Sequence, residues 1–593
     1  MSVESLITQH IDIWTSAVQT KSTAGRGTSS KLDLYGIKKL RELILELAVR
    51  GKLVPQDPND EPASVLLERI AEEKKQLIKD KKIKKTKKLP DIVTEEQLFQ
   101  LPLGWQYIRL GECVSIIRGI TFPASAKNLE PSDGLIACLR TANVQQEIDW
   151  DDLIYVDSSY VKRNDQFLSI GDIVMSMANS RELVGKVSYT YSIPADNGAT
   201  FGGFLSVIRP YKLNSAFLML IFRTPHVREQ LIGSASQTTN IANISLEKLN
   251  PLVISIPPLE EQHRIVAKVD ELMKLCDQLE QQTEASITAH QVLFETLLAT
   301  LTNSADAEEL IENWQRISAH FDTLFTTEES IDQLKQTILQ LAVMGKLVPQ
   351  NPADEPASEL LKRIAKEKAQ LVKDGKIKKQ KALPPINDDE KPFELPNGWE
   401  WCSLGQLVNI RGGKRLPKGQ ALTTTPTPFV YIRVSDMKDG TISTADLHYL
   451  SKDTQEQIKN YIITSDDIYM TIVGATIGKC GLVPVELSGM NLTENAARLS
   501  PFLNLDKSYL YQFLSSKFAQ EQFIDKTKQV GVQKMALNRL SSTKVPLPPL
   551  NQHKLIVAKL SDLLAFCEQL QQRLIESKKT QLSLTDAIIE QVI

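Results

Sequence analysis

The stretch LAVRGKLVPQDPNDEPASVLLERIAEEK, residues 47–74, returns as LAVMGKLVPQNPADEPASELLKRIAKEK at residues 341–368, with 22 of 28 positions the same. The copies lie 294 residues apart. Stacked repeats have periods of about 20 to 50 residues, so this spacing excludes a solenoid and points to two large duplicated halves. The 593 residues agree. At roughly 150 residues per domain they make about four domains, two per half.

A second repeated frame follows at the same displacement, LPLGWQYIRLGECVSIIRG (101–119) against LPNGWEWCSLGQLVNIRGG (395–413). Leu-Pro-x-Gly-Trp is a turn leading into strand-like residues, and about 130 residues of β-branched and aromatic runs broken by Gly, Asn, Asp and Pro come after it. The runs at 168–191 and 461–484 are the clearest strands. Between about 120 and 250, and between 414 and 540, the two copies align only in short patches. A third frame closes each module, PPLEEQHRIVAKVDELMKLCDQLEQQ (257–282) against PPLNQHKLIVAKLSDLLAFCEQLQQR (548–573).

After each Pro-Pro, apolar residues fall at three-four spacing. One seam runs through Val269, Leu272, Cys276, Leu279, Leu293 and Leu297, and the other through Leu560, Leu563, Cys567, Leu570, Leu574, Leu584 and Ile588. Sustained seven-residue spacing predicts two long helices that pair with each other.

Hydrophobic content of 42% and charged content of 24% are ordinary for a globular chain, and neither an 18-residue apolar run nor a cationic-then-apolar leader occurs. A cytoplasmic protein without a membrane partner is expected. Six cysteines without CxxC spacing signal neither zinc nor a disulfide framework, and are read as reduced and buried. Net charge is −3, yet lysines concentrate after each repeat: nine against one acid in 74–88, seven against two in 366–381. Such tracts are either solvated helix faces or phosphate-facing elements.

Catalytic motifs fail on inspection. GATIGKC (474–480) has three residues between its glycines and a Cys after its lysine, where a phosphate loop needs four and Ser or Thr. No Asn-Pro-Pro-Tyr is present, and EEK at 72–74 lies in a lysine-rich helical stretch. His263 and His553, at helix starts, suit capping or the surface better than a metal.

LELAVRGKLVPQ, LPLGW, PPLEEQHRIVAKVDEL and their second copies resemble the specificity subunits of type I restriction-modification systems over nearly the whole length, closest to the subfamily with an extended amino terminus. The resemblance implies an α+β fold of two mostly-β target-recognition domains separated by long antiparallel coiled-coil helices, with extra helical flanking segments. The corresponding map is a helical region at 1–100, recognition domains at 101–258 and 395–549, long helices at 259–301 and 550–593, and a helical repeat of the amino-terminal region at 302–394. Such a subunit reads a split, asymmetric sequence in double-stranded DNA. It docks two methyltransferase subunits and, in the full complex, two restriction/translocase subunits. It has no catalytic centre, metal or cofactor of its own; S-adenosylmethionine, ATP and Mg belong to the partners. A tandem-module protein-interaction scaffold is the alternative.

Base contacts are expected from residues whose donors and acceptors match base edges. In the first module these are Arg118, Arg140, Asn143, Arg163 and Arg181; in the second, Arg411, Lys414, Arg415, Arg433, Gln533 and Lys534.

Overall fold

Helix α1 (Tyr35–Val49) buries Ile37, Leu40, Leu43, Ile44 and Leu47, the stripe that a 3.6-residue period places on one face. It ends at Gly51, whose φ of 69° is open to glycine at little cost. A Cβ there would stand 2.4 Å from Cγ of Pro102, so the glycine also lets the Leu-Pro turn pack against the helix end. Gly345 repeats both features, with φ of 72° and Pro396 Cγ at 2.6 Å. The repeated motif therefore couples each helical segment to the turn that opens the following β module.

The computed structural model describes residues 3–21, 31–83, 87–195, 197–237, 241–380, 383–503, 505–525 and 533–593. They fall into two units, residues 1–286 with 578–593, and residues 287–577. In the first unit α2 (Ala63–Lys79) follows the Gly51 turn. Strand β1 (Gln106–Arg109) then opens a module built on β2 (Val114–Arg118), β3 (Ile173–Ser176), β4 (Val187–Tyr189) and β5 (Leu205–Pro210), an antiparallel sheet in the order β2-β5-β3-β4. A three-stranded sheet of Ala199–Phe201, Leu135–Leu139 and Ile154–Asp157 accompanies it. Strand β6 (Val253–Ile256) returns antiparallel to β1, so the module starts and stops at one place. There Trp105, 3% exposed, donates Nε1–H to Oε2 of Glu261 at 3.0 Å, and burial raises the Glu261 pKa. Leu-Pro-x-Gly-Trp and Pro-Pro-Leu-Glu-Glu are thus two halves of one joint, from which helix α3 (Leu259–Asn303) departs.

The second unit repeats the plan with α4 (Glu328–Val343), α5 (Ala357–Lys373) and a strand pair of β7 (Glu400–Ser403) with a closing strand, Lys544–Leu547. Its antiparallel sheet comprises β8 (Val408–Gly412), β9 (Ile468–Thr471), β10 (Cys480–Leu482) and β11 (Ala496–Pro501), in the order β8-β11-β9-β10. The joint is remade with Trp399 donating to Gln350 at 2.9 Å and Gln552 at 3.1 Å. GATIGKC is the turn that runs from β9 into β10, so a strand and not a helix follows its lysine. Helix α5 ends before the second lysine tract does, and α2 before the first.

The long helices are α3, of 45 residues, and α6 (Leu550–Val592), of 43. Each belongs to one unit at its start and the other at its end. The flanking helices pack on them, since Arg41 of α1 binds Asp277 at 2.7 Å and Lys335 of α4 binds Gln571 at 2.9 Å. Val269, Leu272, Cys276, Leu560, Cys567 and Leu570 are buried; Leu279, Leu297, Leu563, Leu574 and Ile588 are half-buried against the same cores. Leu293 and Leu584 depart from the expected seam, at 50% and 45% exposed, while Phe294 and Thr585 are buried at 3% and 0%. From Val269 to Phe294, and from Leu560 to Thr585, is 25 residues, seven turns at about 3.6 each. A strict seven-residue count falls one residue short over that length, and the buried stripe follows the helix.

All six cysteines are buried and free. Among the described residues no helix is long and apolar enough to cross a membrane. His553 is neither a cap nor a surface residue. It is buried, stacked 4.6 Å from Tyr509, with Nε2 3.2 Å from the Pro548 carbonyl.

Candidate nucleic-acid interface

One end of the four-stranded sheet in each module is built from the same main-chain bonds. In the first, Gly119 N–H donates to Leu205, Ile120 to Phe201, Leu205 to Gly202, Met177 to Phe204 and Ile244 to Met177. In the second, Gly413 donates to Ala496, Lys414 to Leu492, Ala496 to Thr493, Ile472 to Asn495 and Met535 to Ile472. The bonds clamp a three-residue turn, 202–204 or 493–495, between the exit of the first strand of the sheet and the exit of its third. Within these clamps Gly119 approaches Gly202 so closely that a Cβ would lie 2.2 Å from its carbonyl oxygen; for Gly413 and Thr493 the distance is 2.0 Å.

The side chains mounted on this shared frame are unlike. Arg118 and Arg181 are exposed in the first module, and among the described residues their side chains have no hydrogen-bond or ion-pair partner. Phe204 is 67% exposed at the end of the turn. In the second module Lys414 lies 5.4 Å from the ring of Tyr461. Arg415 binds Glu494 at 3.0 Å while its side chain stays 81% exposed. Gln533 and Lys534 are exposed on the segment that bridges to Val473 and Gly474. Burial pushes the Tyr431 pKa up to about 12, so the hydroxyl keeps its proton 3.2 Å from Glu494. Burial also pushes Glu494 upward, but hydrogen bonds from Arg415, Thr493 and Tyr431 outweigh it and leave the carboxyl below its usual range. The turn in the second module is consequently an ordered ionic surface, and that in the first an apolar tip beside the free cation of Arg118.

The remaining sequence candidates lie elsewhere. Asn143 is fully buried; its Oδ1 accepts from Arg140 N–H and its Nδ2 donates to Asp149 and Asp152 carbonyls, so it shapes a turn and has no group left for a base. Arg433 is held by Asp436 and Asp446 in the matching turn, and Arg140 by Asp152 at 2.7 Å. Arg163 pairs with Asp165 at 2.9 Å with half its side chain exposed. Arg411 donates to the Lys376 carbonyl at 2.9 Å. The structure thus brings Arg118 to the sheet end in one module, with Arg181 exposed four residues beyond Met177, and Lys414, Arg415, Gln533 and Lys534 in the other.

The lysine tracts are divided in role. Lys74 donates to the Gly111 carbonyl at 2.6 Å and Lys368 to that of Gly405 at 2.7 Å, each half-buried, with pKa lowered by desolvation. These two fasten helix to module and are not available to phosphates. Lys81, Lys82, Lys378 and Lys379 are exposed, and Lys84, Lys85 and Lys381 lie outside the described residues. Phe204 and Asn495 are not among the residues that the sequence singles out. The available signal was that FGGFLSVIRP (201–210) and LTENAARLSP (492–501) end their strands on Pro 291 residues apart.

A family profile described as the type I restriction modification DNA specificity domain matches the chain twice, over residues 102–289 and 396–577. The EcoAI type I restriction enzyme specificity subunit of Escherichia coli is 45% identical over 607 residues, covering 100% of both chains. The EcoEI specificity subunit of Escherichia coli is 43% identical over 619 residues, covering 100% of this chain and 99% of that one. A solved chain from a study of assembly and conformational transition in a type I R-M system matches with TM-score 0.48 at 18% identity, covering 83% of this chain and 98% of that one.

Proposed function

Because the chain belongs to the family of type I restriction-modification DNA specificity subunits, we propose that each of its β modules reads one half of a split, asymmetric target in double-stranded DNA. The long helices carry the two readers and set the unspecified spacing between half-sites. The observation that carries this reading is the repeated clamp with unlike side chains. Docking similar partners calls for the same framework twice, whereas reading an asymmetric sequence calls for different base-edge donors and acceptors on it.

The partners are two methyltransferase subunits and, in the restriction complex, two translocating nuclease subunits, in the cytoplasm. The chain contributes no catalytic group. S-adenosylmethionine, ATP and Mg act in the partners, and the methyltransferase flips the target adenine from the stack.

The test is retardation of a duplex bearing the split target by this chain together with its methyltransferase partner. Retardation that survives excess unrelated DNA supports the reader. Binding that ignores sequence in both halves leaves a protein-interaction scaffold.

A further inference from the structure

We propose that the last residue of each clamped turn, Phe204 in the first module and Asn495 in the second, reads a base directly. Phe204 packs on the 5-methyl group of a thymine, and Asn495 pairs with the N6 and N7 edge of an adenine. The inference rests on the DNA-reading function above and names which residues at the sheet end carry it.

Three observations converge on these positions. First, they are structurally the same place. The Phe204 carbonyl accepts from Met177 and the Asn495 carbonyl from Ile472, and the turn before each is closed by matching bonds. The main chain is thereby fixed, and only the side chain is free to differ. Second, Phe204 is 67% exposed while its carbonyl is held by Met177, and Arg118, whose strand position pairs with Ser206 two residues on, is an exposed cation whose side chain has no partner among the described residues. A large exposed apolar side chain beside a free guanidinium group matches a DNA groove, where a phosphate meets the cation and a thymine methyl meets the ring. Third, the equivalent turn in the second module replaces that apolar tip with an amide, beside Lys414, Arg415, Gln533 and Lys534. Asparagine offers one donor and one acceptor in the geometry of the adenine major-groove edge.

The two residue types predict different chemical sensitivities. The reconstituted complex of this chain with its methyltransferase partner is measured on target duplexes in which each thymine in turn is replaced by deoxyuridine, and each adenine by 7-deazaadenine. With the native chain, one thymine of the first half-site should lose roughly fourfold in affinity on removal of its methyl, the contribution of one buried carbon. In Phe204→Ala that loss should vanish at that position alone, and Phe204→Leu should restore it in part. One adenine of the second half-site should lose roughly tenfold with 7-deazaadenine, and Asn495→Ala should abolish that sensitivity while leaving the first half-site unchanged. Phe204→Ala with every deoxyuridine effect intact, or with weakened binding and no change of preference, as a wedge between base pairs would give, overturns the assignment. If the native chain responds to no substitution in either half-site, the DNA-reading function itself fails.

Discussion

Lys346 donates from Nζ to the carbonyl of Thr302 at 2.9 Å, in the last turn of α3. At the corresponding place Lys52 reaches the carbonyls of Ile593 at 2.9 Å and Val592 at 3.2 Å, at the end of α6. The lysines are 294 residues apart and the helix ends they hold 291 apart, the displacements of their own frames. The lysine of the repeated Gly-Lys-Leu-Val-Pro-Gln therefore closes carbonyls that a helix end leaves unpaired, with its charge at the negative end of the dipole.

The Lys346→Met variant keeps the aliphatic stem and removes this bond, and should cost about 1 kcal/mol locally. Hydrogen exchange of the amides from 296 to 303 should speed several-fold with the rest of the second unit unchanged. Unaltered protection there would mean the bond holds nothing.

The frames were legible because they demand particular residues: only glycine combines the positive φ of Gly51 and Gly345 with the approach of Pro102 and Pro396. The seam was legible at its start and drifted, since the seven-residue reading lost a residue to the helix by Leu293 and Leu584. The reading turn left only the matched Pro210 and Pro501 as a trace. Its alignment is carried by main-chain N–H and C=O groups, which every sequence supplies, while the side chains differ by purpose. Asn143 misled for a related reason: an amide that suits adenine suits a tight turn equally well.

Acid should loosen the second unit through His553. Burial lowers its pKa to about 4, while a free histidine titrates near 6.5. The unfolded chain thus takes up the proton first as pH falls. Stability from this site is complete above about pH 6.5 and is lost towards pH 4, by up to about 3 kcal/mol. Gln262 stands at the matching position of the first unit, donating to Pro257 as His553 contacts Pro548. Denaturant midpoints of His553→Gln should be flatter with pH than those of the native chain between 6.5 and 4.5; equal slopes would contradict this.

Salt dependence should separate the two kinds of lysine. Lys378→Ala with Lys379→Ala should lower the slope of log affinity against log salt by up to about 2, close to 0.9 for each phosphate contact. Lys368→Met, which breaks the bond to Gly405, should leave the slope unchanged and lower stability instead. A slope that moves with Lys368 would place that residue at the phosphates.

Four residues inserted after Glu284 lengthen α3 by about 6 Å and rotate its far end by only about 40°. If the helices set the spacing, the variant should keep both half-site sequences and prefer a spacer one or two base pairs longer. A working protein with the original spacer would mean the distance is set elsewhere.

The central claim, two separable readers on a repeated frame, is tested most directly by mapping methylated adenines genome-wide in cells whose specificity subunit has residues 105–250 replaced by the module of a relative. One half of the methylated sequence should change while the other half and the spacing stay as they were. A change in both halves would contradict the two-reader account.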